Sequence, residues 1–186
     1  TLAGASNVTY QLQLDEVATF TSPDTFTTGT DVTTFTLGSP LAEGRIYWRV
    51  RAVNNLNGVA GLWSATLNVT VDTTAPTAVP LPVAPIDRSS TTLRRPTFSW
   101  GAVAGATRYR FSLYSGDDCL NSLGTMPPQA TLSYIPTLAD QLDLDTTYCW
   151  QVAAGDAADN WGPASGLSRL FITSTAVAAP GRPTPI

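Results

Sequence analysis

The chain has 186 residues, of which 43% are hydrophobic, enough for one large domain or two domains of ordinary size with packed cores. Its formal net charge is -4, and its ten basic residues are scattered arginines that form no phosphate-binding stripe, so no nucleic-acid partner is predicted. Because histidine and lysine are both missing, His-dependent nucleophilic catalysis, ordinary transition-metal sites and Schiff-base chemistry are excluded, and neither an enzyme nor a cofactor is predicted.

The first predicted element is a strand that begins at Val8. Apolar and polar residues alternate there, as expected for a half-buried antiparallel strand, with Tyr10, Leu12 and Leu14 on the apolar side. Further short strands rich in Thr, Val, Tyr and Phe follow, separated by clusters of Gly, Pro, Asn and Asp. No window shows a sustained helical period, so the sequence predicts an all-β chain built of two-sheet sandwiches.

Two segments of this pattern recur about a hundred residues further on, a spacing that matches the usual size of one domain. RIYWRVRAV resembles TYCWQVAAG and pairs Trp48 with Trp150. Upstream, AGASNVTYQL aligns without a gap with AGATRYRFSL and pairs Tyr10 with Phe111. The sequence therefore predicts two copies of one domain.

Between the copies lies the segment DTTAPTAVPLPVAP, whose four prolines disfavour continuous strand or helix pairing and favour an extended spacer. STAVAAPGRPTPI, at the end of the chain, has the same character. We therefore predict a first domain over 1–72, a Pro-rich linker over 73–84, a second domain over 85–175, and a Pro-rich linker or tail over 176–186.

The segments PTFSW, GATRYRFSL and LDLDTTYCWQVAAGDAADNWGPAS together resemble a fibronectin type III domain of the bacterial extracellular kind. The resemblance covers residues 84–175 and implies a Trp on the second strand, Trp100, and a Tyr near the start of the sixth, Tyr148. The first copy resembles the same family from Val8 onward. It has Ile46 in place of Tyr148, so the hydrogen bond of the tyrosine corner is not expected there.

At the repeat spacing, the counterpart of Trp100 falls just before Thr1, so the first sandwich is predicted to lack its first two strands. An open side would expose a strand-accepting edge, which we predict at Val8, Tyr10, Leu12 and Leu14. Three ways of completing the sandwich stay open: chain upstream, strands donated by another subunit through β-addition, or an altered local packing.

The two cysteines, Cys119 and Cys149, both fall in the second copy. The resemblance places their strands side by side in one sheet, which predicts a disulfide, and Cys149 is expected to face outward because it alternates with Tyr148 and Trp150. A disulfide implies an oxidising setting and therefore an extracellular or cell-surface location. The alternative is a cytosolic protein with two unpaired thiols.

Three tryptophans, Trp48, Trp100 and Trp150, lie at inward positions and are predicted to be core residues. Trp63 and Trp161 flank Gly-rich turns, and each is either a contact residue, for example for a sugar, or a packing residue at the end of the sandwich. Three acidic pairs could offer oxygen ligands to Ca²⁺, but none has the spacing of an EF-hand loop and Asp is common in turns, so no metal site is predicted. The pairs are Asp117/Asp118, Asp143/Asp145 and Asp156/Asp159.

These features together favour a non-enzymatic extracellular structural module, part of a tandem-repeat surface or filament protein that spaces, displays or assembles through its sandwiches. The alternative is a carbohydrate-binding or adhesion accessory region of a secreted enzyme. Predicted partners are other copies or domains of the same protein, by strand addition, and polysaccharide in the alternative. The apolar stretches are too short for membrane insertion, and the NVT motifs at Asn7 and Asn68 leave glycosylation open.

Overall fold

A computed structural model of the chain describes residues 6–174. The described residues contain thirteen β-strands and no helix, which confirms the all-β prediction. The chain divides into two units, Thr1–Thr73 (unit 1) and Thr74–Ile186 (unit 2). The predicted tail, 176–186, lies outside the described residues.

The described residues of unit 1 form one antiparallel sheet of four strands. Its strands are β1 (Val8–Asp15), β2 (Asp24–Thr27), β3 (Gly44–Asn54) and β4 (Leu67–Val71). Their order across the sheet is β2-β1-β3-β4. Leu14 lies opposite Trp48, and Trp48 lies opposite Leu67, so these apolar side chains share one face of the sheet.

Unit 2 contains a three-stranded sheet and a larger sheet. Its strands are β5 (Pro82–Ala84), β6 (Ser89–Thr91), β7 (Phe98–Trp100), β8 (Arg108–Ser115), β9 (Asn121–Thr125), β10 (Ser133–Tyr134), β11 (Thr146–Gly155), β12 (Trp161–Ala164) and β13 (Ser168–Ile172). The smaller sheet has the order β10-β7-β5, and the larger has the order β6-β13-β11-β8-β9, with β12 paired to β11.

The core of unit 2 joins apolar residues of both sheets, as in a sandwich. Phe98 and Trp100 enter it from β7, and Phe111, Trp150 and Leu170 enter it from the larger sheet. The burial of Trp100 and Trp150 confirms their predicted place in the core. The tyrosine corner is also present, since the Tyr148 hydroxyl accepts a hydrogen bond of 2.8 Å from the Asp143 amide.

The strand register corrects the ungapped alignment of the two units. In unit 2, Leu113 lies opposite Trp150, just as Leu14 lies opposite Trp48 in unit 1. If the two tryptophans correspond, then YQLQL of β1 matches YRFSL of β8, and Tyr10 corresponds to Tyr109 rather than to Phe111. The ungapped alignment is two residues out of register because Tyr10 lies five residues after Ala5, whereas Tyr109 lies three residues after Ala106.

The Pro-rich segment between the units also differs from the prediction in its second half. Pro82–Ala84, placed in the linker by the sequence, forms the edge strand β5. Pro82 lies opposite Trp100, and the Gly101 amide donates a 2.9 Å hydrogen bond to the carbonyl of Leu81. Proline is tolerated there because an edge strand does not need every amide for its ladder.

Candidate interaction face

One side of the unit 1 sheet is apolar and only partly covered by the described residues; we call it the open face. It is formed by alternate residues of β1, β3 and β4, which lie on the same side because successive side chains of a strand point to opposite faces. Its members are Tyr10, Leu12, Leu14, Ile46, Trp48, Val50, Leu67 and Val69. The alternation in VTYQLQL predicts the β1 members, and the same alternation in LNVTV is the signal for those on β4.

Comparison with unit 2 shows how incomplete the covering of this face is. Leu67 and Val69 are 50% and 46% exposed, whereas Leu170, the counterpart of Val69, is 1% exposed. Trp48 is half-buried, although the sequence predicted a core position for it and its counterpart Trp150 is fully buried. The difference arises because the described part of unit 1 has no counterpart of β5 and β7.

The strand-accepting edge predicted along β1 is different in the structure. β1 is an interior strand, paired with β2 on one side and β3 on the other, so its backbone offers no free edge along Gln11–Leu14. Val8 is buried, and its amide donates a hydrogen bond to the Asp31 carboxylate. What unit 1 leaves open is therefore a face of side chains at Tyr10, Leu12 and Leu14.

A groove with a volume of about 720 Å³ runs over the open face. Its apolar lining comes mainly from β1, β3 and the segment 33–35, and includes Tyr10, Leu12, Phe35, Trp48 and Val50. Phe35 is 40% exposed and its ring packs against that of Phe26 at a centroid distance of 5.1 Å. A concave apolar site of this size falls within the range of protein binding pockets.

The opposite face of the sheet is polar, and its side chains form hydrogen bonds with one another. The Arg49 and Arg51 guanidiniums donate to the side-chain oxygens of Gln13 and Gln11, respectively. Both guanidiniums also lie within 5 Å of the Trp63 ring centre, at 4.7 and 4.4 Å. Cation–π contacts of this kind hold Trp63 against its own sheet, which gives this predicted contact residue a packing role, and Trp63 also contributes to the lining of the groove.

Trp161, the other predicted contact residue, is held in a similar way in unit 2. The guanidinium of Arg110 lies 3.9 Å from its ring centre, and its indole N–H donates a 2.9 Å hydrogen bond to Asp159. The ring also covers Gly155 so closely that a Cβ at that position would lie 2.9 Å from it. Trp161 therefore packs over β11.

Cys119 and Cys149 form the predicted disulfide, but both residues are buried. Cys149 does alternate with Tyr148 and Trp150, as expected. The loop after β8 folds over this side of the sheet, with the Gly116 amide donating to the carbonyl of Thr147, so Cys149 is not exposed to solvent. Closing a loop of 30 residues stabilises the fold by about 3 to 4 kcal/mol in the chain-entropy model.

Carboxylates of the acidic pairs considered as calcium ligands accept hydrogen bonds from other residues of unit 2. Asp156 accepts hydrogen bonds from the amides of Ala158 and Asn160 and from the Asn160 side chain. Asp145 accepts from Ser174, and Asp117 accepts from Thr147. Among residues 6–174, no group of three or more His, Cys, Asp or Glu side chains is arranged to hold a metal, and no helix is long and apolar enough to span a bilayer.

The fold of this chain is similar to that of solved structures. The match with the crystal structure of chicken CNTN1 FN1-FN3 domains has a TM-score of 0.55 and 18% sequence identity, and it covers 91% of this chain. The fold is that of fibronectin type III domains. In all, 149 chains of solved structures match, whereas no family model and no curated protein does.

Four strands follow the same order across the sheet in both units. The order is β2-β1-β3-β4 in unit 1 and β9-β8-β11-β13 in unit 2. At 18% identity the likeness concerns the fold alone. The chain covers 58% of the length of the chicken protein chain, so the match does not extend over that whole structure.

Proposed function

We propose that this chain is a non-enzymatic extracellular structural module, part of a tandem-repeat surface or filament protein that spaces, displays or assembles through its fibronectin type III-like units. The buried Cys119–Cys149 disulfide supports a location in which disulfides persist, outside the reducing cytosol. The fibronectin type III-like fold supports a structural module of the extracellular type.

The observation that carries this proposal is the open face of unit 1. Soluble monomers rarely leave a contiguous apolar surface of several hundred Å² in water, and larger patches mark interaction sites. The open face carries apolar side chains on three adjacent strands, of which Leu67 and Val69 are 50% and 46% exposed and Tyr10, Leu12, Leu14, Trp48 and Val50 are half-buried. We infer that assembly through this face is how the module acts.

The carbohydrate-binding alternative has less support. Stacking on a sugar needs an aromatic ring that is free to receive it, but Trp63 and Trp161 already contact arginine side chains of their own sheets. Trp161 also donates its indole N–H to Asp159. These contacts favour a packing role for both residues.

The proposal is tested by the self-association of the purified chain, measured by sedimentation velocity over a wide concentration range. Leu12 lies on the open face and lines the groove, and the Leu12→Asp variant should remain monomeric where the wild type associates, because it places a charge in the apolar contact. Leu56→Asp is the matched control: Leu56 is 77% exposed and outside the open face, so this variant should associate like the wild type.

Two results would contradict the proposal. One is a wild type that is monomeric at every concentration and binds no hydrophobic reporter dye. The other is association that Leu12→Asp leaves unchanged, which would place the contact elsewhere on the chain.

A further inference from the structure

Unit 2 shows within the same chain what covers a sheet of this kind. Its strand β7 places Phe98 and Trp100 over the larger sheet, where they are 0% and 3% exposed. The Phe98 ring contacts those of Phe111, Trp150 and Tyr134 at centroid distances of 4.9, 5.4 and 6.5 Å. Trp100 contacts Tyr109 and Phe111.

The counterparts of these partners line the groove of unit 1. By strand register, Tyr109 and Phe111 correspond to Tyr10 and Leu12, and Trp150 corresponds to Trp48. Phe35 has the place between β2 and β3 that Tyr134 has between β9 and β11. All four counterparts, Tyr10, Leu12, Phe35 and Trp48, lie on the wall of the groove.

We propose that the groove of unit 1 binds an extended polypeptide segment with the Phe-x-Trp pattern of β7. The two aromatic side chains, which point to the same side because they are two residues apart, enter the groove over Leu12 and Trp48. This inference rests on the proposed function, since it names the partner that the open face receives.

The backbone of such a segment also has a place to lie. In unit 2, β7 pairs with β10, with Phe98 opposite Tyr134. In unit 1, the segment 33–37 runs beside the groove and is paired with no strand among the described residues. The bound segment would pair with 33–37 by β-strand addition, with its phenylalanine opposite Phe35.

The source of the segment is polypeptide outside residues 1–186, because β7 of a second folded copy is not available. Phe98 and Trp100 are buried in their own core, and β7 is paired with both β5 and β10. Releasing it would remove two aromatic side chains from that core, each of which contributes a large buried apolar area. An unpaired Phe-x-Trp segment requires no such unfolding.

The test uses the full chain and a fluorescein-labelled peptide with the sequence RRPTFSWGAV, which is that of residues 94–103. Fluorescence anisotropy should rise saturably with protein concentration. A peptide carrying both Phe98→Asp and Trp100→Asp should bind at least about tenfold more weakly, because charged groups replace the two apolar anchors. The peptide should also reduce self-association of the chain.

Two protein variants test whether the peptide binds in the groove. Leu12→Asp and Phe35→Asp should each abolish binding. Phe35 lies outside the strands, so the circular dichroism of Phe35→Asp should match that of the wild type even if Leu12→Asp perturbs the sheet. Leu56→Asp should bind normally. In hydrogen exchange, the bound peptide should protect 33–37 and leave β9, an edge of unit 2, unchanged.

The outcomes separate this inference from the proposed function. If the peptide does not bind while Leu12→Asp still prevents self-association, the strand inference is overturned and the assembly role stands. Binding that survives Phe35→Asp, or protection at β9 in place of 33–37, also overturns it. If neither peptide binding nor self-association depends on Leu12, both fail.

Discussion

Asp156 illustrates how one side chain organises a turn at the end of the unit 2 sheet. Partial burial acts to raise the pKa of its carboxyl. Hydrogen bonds from the side chain and amide of Asn160 and from the amide of Ala158, together with the charge of Arg108, outweigh that effect, and the pKa lies below its ordinary value of 3.8. The sequence pair Asp156/Asp159 suggested oxygen ligands, but the turn itself uses these oxygens.

This pKa predicts a specific pH dependence. Since the folded-state pKa is below the unfolded value, the carboxylate stabilises unit 2 fully above the unfolded pKa, and this contribution is lost as pH falls through the folded pKa. Asp156→Asn should lower the Tm at pH 7, and the difference from the wild type should shrink as pH falls below about 4. Thermal melts across this range would show it; a constant difference would contradict the assignment.

Among the elements, the segment that begins unit 2 departs most clearly from its sequence pattern. Its prolines predicted a spacer, yet Pro76 and Pro80 are buried and Pro82–Ala84 forms β5. The Pro76 carbonyl lies so close to β12 that a Cβ built on Gly162 would be 2.1 Å from it. Gly162 is therefore needed for this segment to approach the strand.

Gly162→Ala should destabilise unit 2 by about 1 to 3 kcal/mol or more. The added Cβ would clash with the Pro76 carbonyl oxygen, a backbone atom that cannot shift without moving the chain. Gly166→Ala is the matched control, since a Cβ there meets nothing within 4 Å. Urea unfolding of both variants would measure the effect. Equal free energies of unfolding for the two variants would show that the segment does not pack on β12.

At the scale of the whole molecule, two sheets of the same strand order differ in what covers them. Unit 2 buries Phe111, Trp150 and Leu170 beneath its second sheet. In the described part of unit 1, the corresponding positions are the half-buried Leu12 and Trp48 and the exposed Val69. Apolar burial is the main favourable term in folding, so the two units should differ in stability.

Hydrogen exchange of the dilute, monomeric chain should detect this difference. Amides of β1 and β3 should exchange at least about tenfold faster than those of β8 and β11, because less apolar area protects them from opening. Mass spectrometry of peptic fragments would resolve the strands. Equal protection in the two units at the lowest concentration would mean that the open face does not weaken unit 1.

Alternation in the sequence predicted β1 and the side on which Tyr10, Leu12 and Leu14 lie, because a period of two is a local feature of the chain. The Cys119–Cys149 disulfide was predicted from the resemblance to fibronectin type III domains, which places the two strands side by side. Three features became clear only from the packed structure: the correspondence between β1 residues and β8 residues, the burial of Cys149 beneath its loop, and the use of Pro82–Ala84 as a strand. It also showed that β1 lies inside its sheet, so that a face rather than an edge is open. These outcomes depend on which elements pack against one another. Alternation along a strand predicts the side of the sheet to which a side chain points, but not which element will cover it.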